Sequence, residues 1–228
     1  MDQNEAKLLA ARAAIDELPP RGINGLGSGS TAKLFVDEVG ARVAAGADYR
    51  GVPTSKGTRA QAEALGIPLL PDEDGWGEIA VTVDGADEVD EHLNLIKGGG
   101  GALTREKIVN DASRRNVIIV DESKIKRRLG ETWAVPVEVL RFGFSHARDA
   151  LGKLGKVRVR AREGEAFVTD AGNFIVDVGT GPIEDPLALD RAMRDIPGVV
   201  ETGLFVSRAS LVIVAGRTGI TRLEPKKK

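Results

Sequence analysis

Apolar residues along this chain follow two rhythms. Up to about residue 120, short runs that are apolar almost throughout alternate with longer stretches in which apolar residues recur at helical spacing. Runs such as Ile79 to Val83 (IAVTV) and Asn116 to Val120 (NVIIV) suit strands covered on both faces. Further strands are expected at Arg21 to Leu26, Tyr49 to Pro53 and Ile67 to Leu70. Helices are expected from Gln3 to Leu18, stopped by Pro19-Pro20, from the turn after Leu26 through Ala45, and from Gly57 to Leu65. Pro71 to Gly77 reads as an exposed polar loop, and Thr104 opens an amphipathic helix with Ile108 and Val109 behind its first turn. The repeating strand–helix order predicts an α/β fold with a doubly wound, Rossmann-like parallel sheet. Asn24 is a polar residue inside the first of these strands, and the pattern gives no reason for it.

The rhythm changes after about Thr132. Val135 to Val139 reads as a strand and Ser145 to Leu154 as a helix. Lys156 to Arg162, Ala166 to Thr169 and Phe174 to Val178 read as a meander, with turns at Glu163-Gly164 and Asp170-Ala171-Gly172. Pro186 to Arg194 is helical and Val199 to Phe205 extended. This β-α-β-β-β-α-β order predicts a smaller α+β, ferredoxin-like domain with its helices on one face of an antiparallel sheet. Leu211 to Ala215 (LVIVA) is again apolar throughout and is placed back in the first sheet. The expected division is a discontinuous first domain, 1–132 plus 207–228, and an inserted domain, 133–206, to which oligomerisation is assigned.

Composition narrows the function. The 228 residues carry a formal net charge of -2, which argues against nucleic acid as a partner. There is no cysteine, so thiolate nucleophiles, disulfides and cysteine metal sites are excluded. The two histidines, His92 and His146, are too far apart in sequence to suggest a metal centre, and are read as structural or exposed. No run approaches the length of a membrane span and no secretory leader is visible, so the expected location is the cytoplasm. The Lys226-Lys227-Lys228 tail reads as a solvated end.

Candidate chemistry gathers in Ile79 to Val109. The strand ends in Asp84-Gly85-Ala86-Asp87; Lys97, the four glycines Gly98 to Gly101 and Glu106 follow. In open α/β sheets, ligands sit beyond the carboxyl ends of the strands. A second feature is Gly27-Ser28-Gly29-Ser30-Thr31, a turn between a strand and a helix N-terminus, which suits a phosphate monoester. A dinucleotide fingerprint would need an acid after the next strand, where Thr54-Ser55-Lys56 stands, and the Walker G-K-[ST] is absent. Taken singly, these residues have bland readings. Glu106 complements a helix dipole, Asp84 makes an Asx-turn, Lys97 is a surface lysine, and Glu88, Asp90 and Glu91 form a solvated acidic face. Taken together, a carboxylate base, a lysine with free amides and a second acid fit proton transfer between adjacent carbons of an aldose without a metal.

Several segments resemble the type A ribose-5-phosphate isomerases: GLGSGSTA, TSKGT, VDGADEVD, IKGGGGALTREKIV, DESK, PVEV and IPGVVETGLF, in family order. The resemblance implies interconversion of ribose 5-phosphate and ribulose 5-phosphate through an enediolate, with no cofactor, in a homodimer or homotetramer. It makes Glu106 the base and gives ring opening and the oxygens to Asp84, Asp87 and Lys97. It places substrate against Ser28, Gly29, Ser30, Thr31, Gly85, Ala86, Gly98, Gly99, Gly100 and Lys124, with Lys7 near the phosphate. Two departures are visible. Ser28 replaces a more usual threonine, and Gly101 stands where alanine is common, which is expected to loosen the loop slightly. The competing readings are a sugar-phosphate sensor, for which no helix-turn-helix segment is present, and an acyl-CoA transferase.

Overall fold

The computed structural model describes residues 2–73 and 75–225; the Lys226–Lys228 tail lies outside the described residues. In chain order the first elements are α1 (Gln3–Ile15), β1 (Arg21–Leu26), α2 (Ser30–Ala44), β2 (Asp48–Pro53), α3 (Lys56–Ala64) and β3 (Ile79–Asp84). Then come β4 (Glu88–Val89), β5 (Leu95–Ile96), α4 (Leu103–Asp111), β6 (Ser113–Asp121), β7 (Val135–Val139) and α5 (Phe144–Leu151). The chain continues through β8 (Lys156–Val159), β9 (Ala161–Arg162), β10 (Glu165–Ala166), β11 (Phe174–Gly179), α6 (Pro186–Arg194), β12 (Val199–Thr202), β13 (Leu204–Phe205), β14 (Leu211–Gly216) and β15 (Gly219–Leu223).

The chain forms two compact units. One contains Met1–Ala86, Arg105–Lys124 and Arg208–Lys228; the other contains Asp87–Thr104 and Ile125–Ser207. Residues 87–104 and 125–132, which the hydrophobic pattern groups with the first domain, thus lie in the second unit.

The first unit is built on a six-stranded sheet in the order β15-β14-β6-β3-β1-β2. Five strands are parallel, and β15 pairs antiparallel with β14 at the edge. From β1 the chain winds outward to β2 on one side and to β3 on the other, so the winding reverses at the β1/β3 junction. That is the switch point where doubly wound sheets bind ligands. On one face Leu26, Val83, Val117 and Ile119 pack against Ala10 and Ala14 of α1, Phe35 and Val36 of α2 and Ala62 of α3. On the other face lies α4. Its Val109 sits where a side chain on Gly25 would fall, and its Val109 carbonyl accepts the Ser113 hydroxyl at 2.6 Å.

Several expectations change in detail. The first helix ends at Ile15, before the prolines, with Asp16 as its C-cap. Ile67 to Leu70 is reduced to one parallel bridge from Leu69 to Gly51, and β15 carries no apolar run that would have marked it. Ile108 is exposed while Glu106, Lys107 and Asn110 are buried, so α4 is not amphipathic in the simple sense.

The second unit contains a four-stranded antiparallel sheet in the order β12-β7-β11-β8, the ferredoxin-like βαββαβ arrangement. Its core joins Val135, Val137, Val176 and Val178 to Ala147, Leu151 and Met193 of the two helices. The predicted middle strand of the meander touches this sheet only through one antiparallel bridge from Val168 to Phe174 of β11; β9 and β10 form a separate ribbon. The predicted strand Val199 to Phe205 divides: β12 joins the four-stranded sheet, while β13 pairs with β5 beside β4. Two-residue strands carry too little pattern to be seen in sequence.

Asn24 remains an anomaly. It is buried in the β1 ladder, and neither polar atom of its side chain has a hydrogen-bond partner among the described residues. An unsatisfied buried amide costs about 1–3 kcal/mol. Asn24→Val, which suits a strand, is therefore expected to raise Tm by a few degrees in calorimetry, at about 2–4 °C per kcal/mol for a chain of this size.

Candidate active site

At the switch point the β1–α2 turn and the end of β3 come into close contact. A Cβ on Gly27 would lie 2.4 Å from Asp84 Oδ1 and 2.5 Å from the Val83 carbonyl, so only glycine fits. Asp84 Oδ1 accepts the Ser28 N–H at 2.9 Å and the Gly85 N–H at 2.8 Å. The bond to Gly85 reaches only the next residue, so the Asx-turn expected of Asp84, which would take the Ala86 N–H, is not what this oxygen makes; it tethers the turn leading to α2 instead. The Ser28 hydroxyl lies 2.7 Å from Thr54 Oγ1, 2.8 Å from Ser55 Oγ and 3.1 Å from Thr58 Oγ1, and Thr58 Oγ1 donates to the Gly27 carbonyl at 2.9 Å. Thr54, Ser55 and Thr58 thus buttress the turn. Sequence reasoning gave them no role, although the TSKGT segment that carries them ends the neighbouring strand.

Gly29 caps α2 with φ +91° and no side-chain hydrogen bond to the first turn, the arrangement that leaves helix amides available to an anion. Gly29 and Ser30 are exposed and Thr31 is buried. A cleft of about 520 Å³ opens here, lined by Gly29, Ser30, Lys33, Ser55, Gly57, Thr58 and Gln61. Lys33 adds a cation that no motif had marked. Lys7 lines a neighbouring groove that also touches Ser30.

Glu106 is 5 % exposed, in the first turn of α4. α4 ends at Asp111, just before β6 begins at Ser113 at the amino edge of the sheet, so the helix runs opposite to the strands, and Val109 lies over Gly25 and Thr82. Glu106 is therefore about one helical turn closer to the carboxyl edge. Gly27 and Asp84 stand two residues further along their strands, on that same face. The glutamate and the hydroxyl-rich turn thus share one edge of one sheet.

The residue before Glu106 is fixed from behind. Asp72 accepts from Arg105 Nη2 at 2.7 Å and from Arg59 Nη2 at 2.5 Å. Burial pushes the Asp72 carboxyl up, but hydrogen bonds and charge from the two arginines outweigh it and hold it below its ordinary value of 3.8. Asp121, at the end of β6, behaves likewise. Burial raises it, while the Ser123 hydroxyl and amide, Gln3 and the charge of Lys124 bring it below the usual carboxylate range.

The second unit carries the remaining candidates. Lys97 is 3 % exposed, with its ammonium 5.4 Å from the centre of the Phe205 ring, so it is not a surface lysine. Asp87 Oδ2 accepts the Gly99 N–H at 2.7 Å, which joins the second aspartate to the glycine run. Gly101 has φ +91°, and a Cβ there would lie 2.4 Å from the Phe167 ring. Glycine at this position admits Phe167 rather than loosening the loop. Glu88 and Asp90 are also buried rather than solvated. Glu88 accepts the Gly130, Thr132 and Trp133 amides at 2.6–2.9 Å, and Asp90 accepts the His92 and Asn94 amides. Glu91, His92 and His146 are exposed. Among the described residues no group of three or more His, Asp or Glu is arranged to hold a metal ion, and no helix is long and apolar enough to cross a membrane.

Comparison with known proteins decides the family. The profile described as ribose 5-phosphate isomerase A (phosphoriboisomerase A) matches residues 50–219. The chain belongs to the ribose-5-phosphate isomerase A family. It is 48% identical to the ribose-5-phosphate isomerase A of Rhodopseudomonas palustris strain TIE-1, over 98% of this chain and 99% of that one. It is also 48% identical to that of Gloeobacter violaceus, over 99% and 98%. Among solved structures it resembles a D-ribose-5-phosphate isomerase in complex with phospho-erythronic acid, at TM-score 0.94, 37% identity and coverage of 98% and 100%. It also resembles ribose 5-phosphate isomerase A from Methanocaldococcus jannaschii, at TM-score 0.91, 36% identity and coverage of 96% and 98%.

In this member of the family, the Asp72 clamp makes a pH-dependent contribution. A carboxyl whose pKa is lower in the folded state stabilises above its unfolded pKa, and the contribution fades as pH falls through the folded one. The Tm of the wild type should exceed that of Asp72→Asn by a constant margin above about pH 5, and the margin should close as pH drops below 3.8. Paired thermal melts across that range measure it.

Proposed function

We infer that the chain is an aldose–ketose isomerase that interconverts D-ribose 5-phosphate and D-ribulose 5-phosphate through an enediolate, in the non-oxidative pentose phosphate pathway. The observation that carries this reading is the shared edge: a buried glutamate and a hydroxyl-rich helix N-terminus meet the switch point of one sheet. Ser28, Gly29, Ser30 and Thr31 hold the phosphate, with Lys7 nearby and Lys124 beyond β6. Glu106 removes the proton from C2 of the open-chain aldose and returns it to C1. The C1 oxygen gains a proton and the C2 oxygen loses one, so the enediol becomes the ketose with no net gain of atoms. Lys97 and the Gly98 and Gly100 amides stabilise the negative oxygen as it develops, while Gly99 lies against the substrate with its own amide on Asp87. Asp84 and Asp87, with Gly85 and Ala86 between them, serve ring opening and the oxygen-bound protons. A homodimer or homotetramer working in the cytoplasm completes the reading.

Incubation with ribose 5-phosphate in deuterated water, with chelator present, should give ribulose 5-phosphate and exchange of one carbon-bound proton. Glu106→Gln should lower turnover by about 10²- to 10⁴-fold while leaving substrate binding in place; turnover at the wild-type rate would remove the base assignment. Lys97→Ala should lower turnover as well. Ser30→Ala combined with Thr31→Ala should raise KM about tenfold or more through lost bonds to a charged group, and an unchanged KM would remove the phosphate assignment.

A further inference from the structure

We propose that Arg160, a residue no motif marks, is a positioning residue that aims the glycine run at the reacting oxygen. The proposal rests on the isomerase reading above. Arg160 follows β8 directly, and its own backbone is fixed, its N–H donating to the Ile175 carbonyl at 2.9 Å and its carbonyl accepting from Phe167 at 2.9 Å. Its guanidinium is held by Asp177 of β11, through Nε at 3.1 Å and through a short bond from Nη2. Asp177 is 4 % exposed, so the pair is buried and directional rather than a surface contact. The remaining nitrogen, Nη1, donates to the carbonyls of Gly98 at 2.7 Å and Gly99 at 3.1 Å.

Those two bonds determine where the amides point. The Gly98 carbonyl and the Gly99 N–H belong to one peptide plane, and they point in opposite directions. Arg160 holds the oxygen of that plane while Asp87 Oδ2 accepts its N–H at 2.7 Å. The next plane has its oxygen, that of Gly99, on the same guanidinium. Its N–H, that of Gly100, is therefore turned away from Arg160, toward the side where Asp87 stands. Gly100 is exposed, and its N–H meets no acceptor among the described residues. Glycine backbone left to itself would not hold this direction. The planar fork of arginine fixes two carbonyls and a carboxylate at once, which the single ammonium of lysine cannot reproduce.

The test compares the wild type with Arg160→Lys and with Arg160→Leu/Asp177→Leu, the second leaving no lone buried charge. Readouts are kcat, KM for ribose 5-phosphate, the Kd of phospho-erythronic acid and Tm. Phospho-erythronic acid presents a planar carboxylate where the enediolate has its two oxygens. Misaiming one oxyanion donor should lower kcat about 10- to 100-fold and weaken phospho-erythronic acid by a similar factor, with KM shifted less than about threefold. A lowered Tm with kcat and analogue affinity at wild-type values in both variants would overturn the proposal and leave Arg160 a packing residue. A wild type without isomerase activity would instead overturn the functional reading, so the two failures are distinguishable.

Discussion

The close approach of β1 to β3 at Gly27 and Asp84 is the constraint on which the first unit's chemistry depends. One carboxylate oxygen receives the amides of Ser28 and Gly85, and the absence of a side chain on Gly27 makes that distance possible. The contact fixes where α2 begins, hence where its uncapped amides point. It also fixes the end of β3, the strand over which α4 carries Glu106. Elsewhere in the sheet, apolar packing sets positions to within what side chains tolerate. Here a hydrogen-bonded corner sets them more tightly, at the switch point where doubly wound sheets take their ligands.

The second unit solves a different problem. Its loops are irregular, and buried carboxylates organise them. Glu88 gathers three amides from the segment before β7. Glu138 of β7 receives Thr104, Thr169 and Asn173. Asp177 holds Arg160. A desolvated charge is costly unless donors surround it, so each of these acids specifies one arrangement of the backbone around it. The glycine run is held by this network through Arg160, whereas the Lys97 backbone continues the β5–β13 pairing through its N–H to the Gly203 carbonyl.

Much of this was legible in the sequence. Fully apolar runs revealed the strands of a sheet covered on both faces, and the change of rhythm after Thr132 revealed the ferredoxin-like insertion. The motif residues Glu106, Asp84, Asp87 and Lys97 were visible because acids, a lysine and glycines stand at the carboxyl ends of strands. What stayed hidden depends on partners distant in sequence. Glu88 looks like part of a solvated acidic stretch until donors 42 to 45 residues away close over it. Phe167 gives Gly101 its meaning from 66 positions along the chain. Arg160 appears as one arginine among several. Charge patterns record composition, whereas burial is decided by topology.

The return of β14 to the first sheet has a consequence for biosynthesis. Every residue of the second unit has been synthesised by Ser207, whereas the first sheet still lacks β14 and β15 at that point. Until they are made, β6 presents an open backbone edge, and the earlier strands of the sheet wait for a later partner. Domains usually mature in the order of their synthesis; in this chain the inserted unit can consolidate before the sheet that flanks it in sequence is complete.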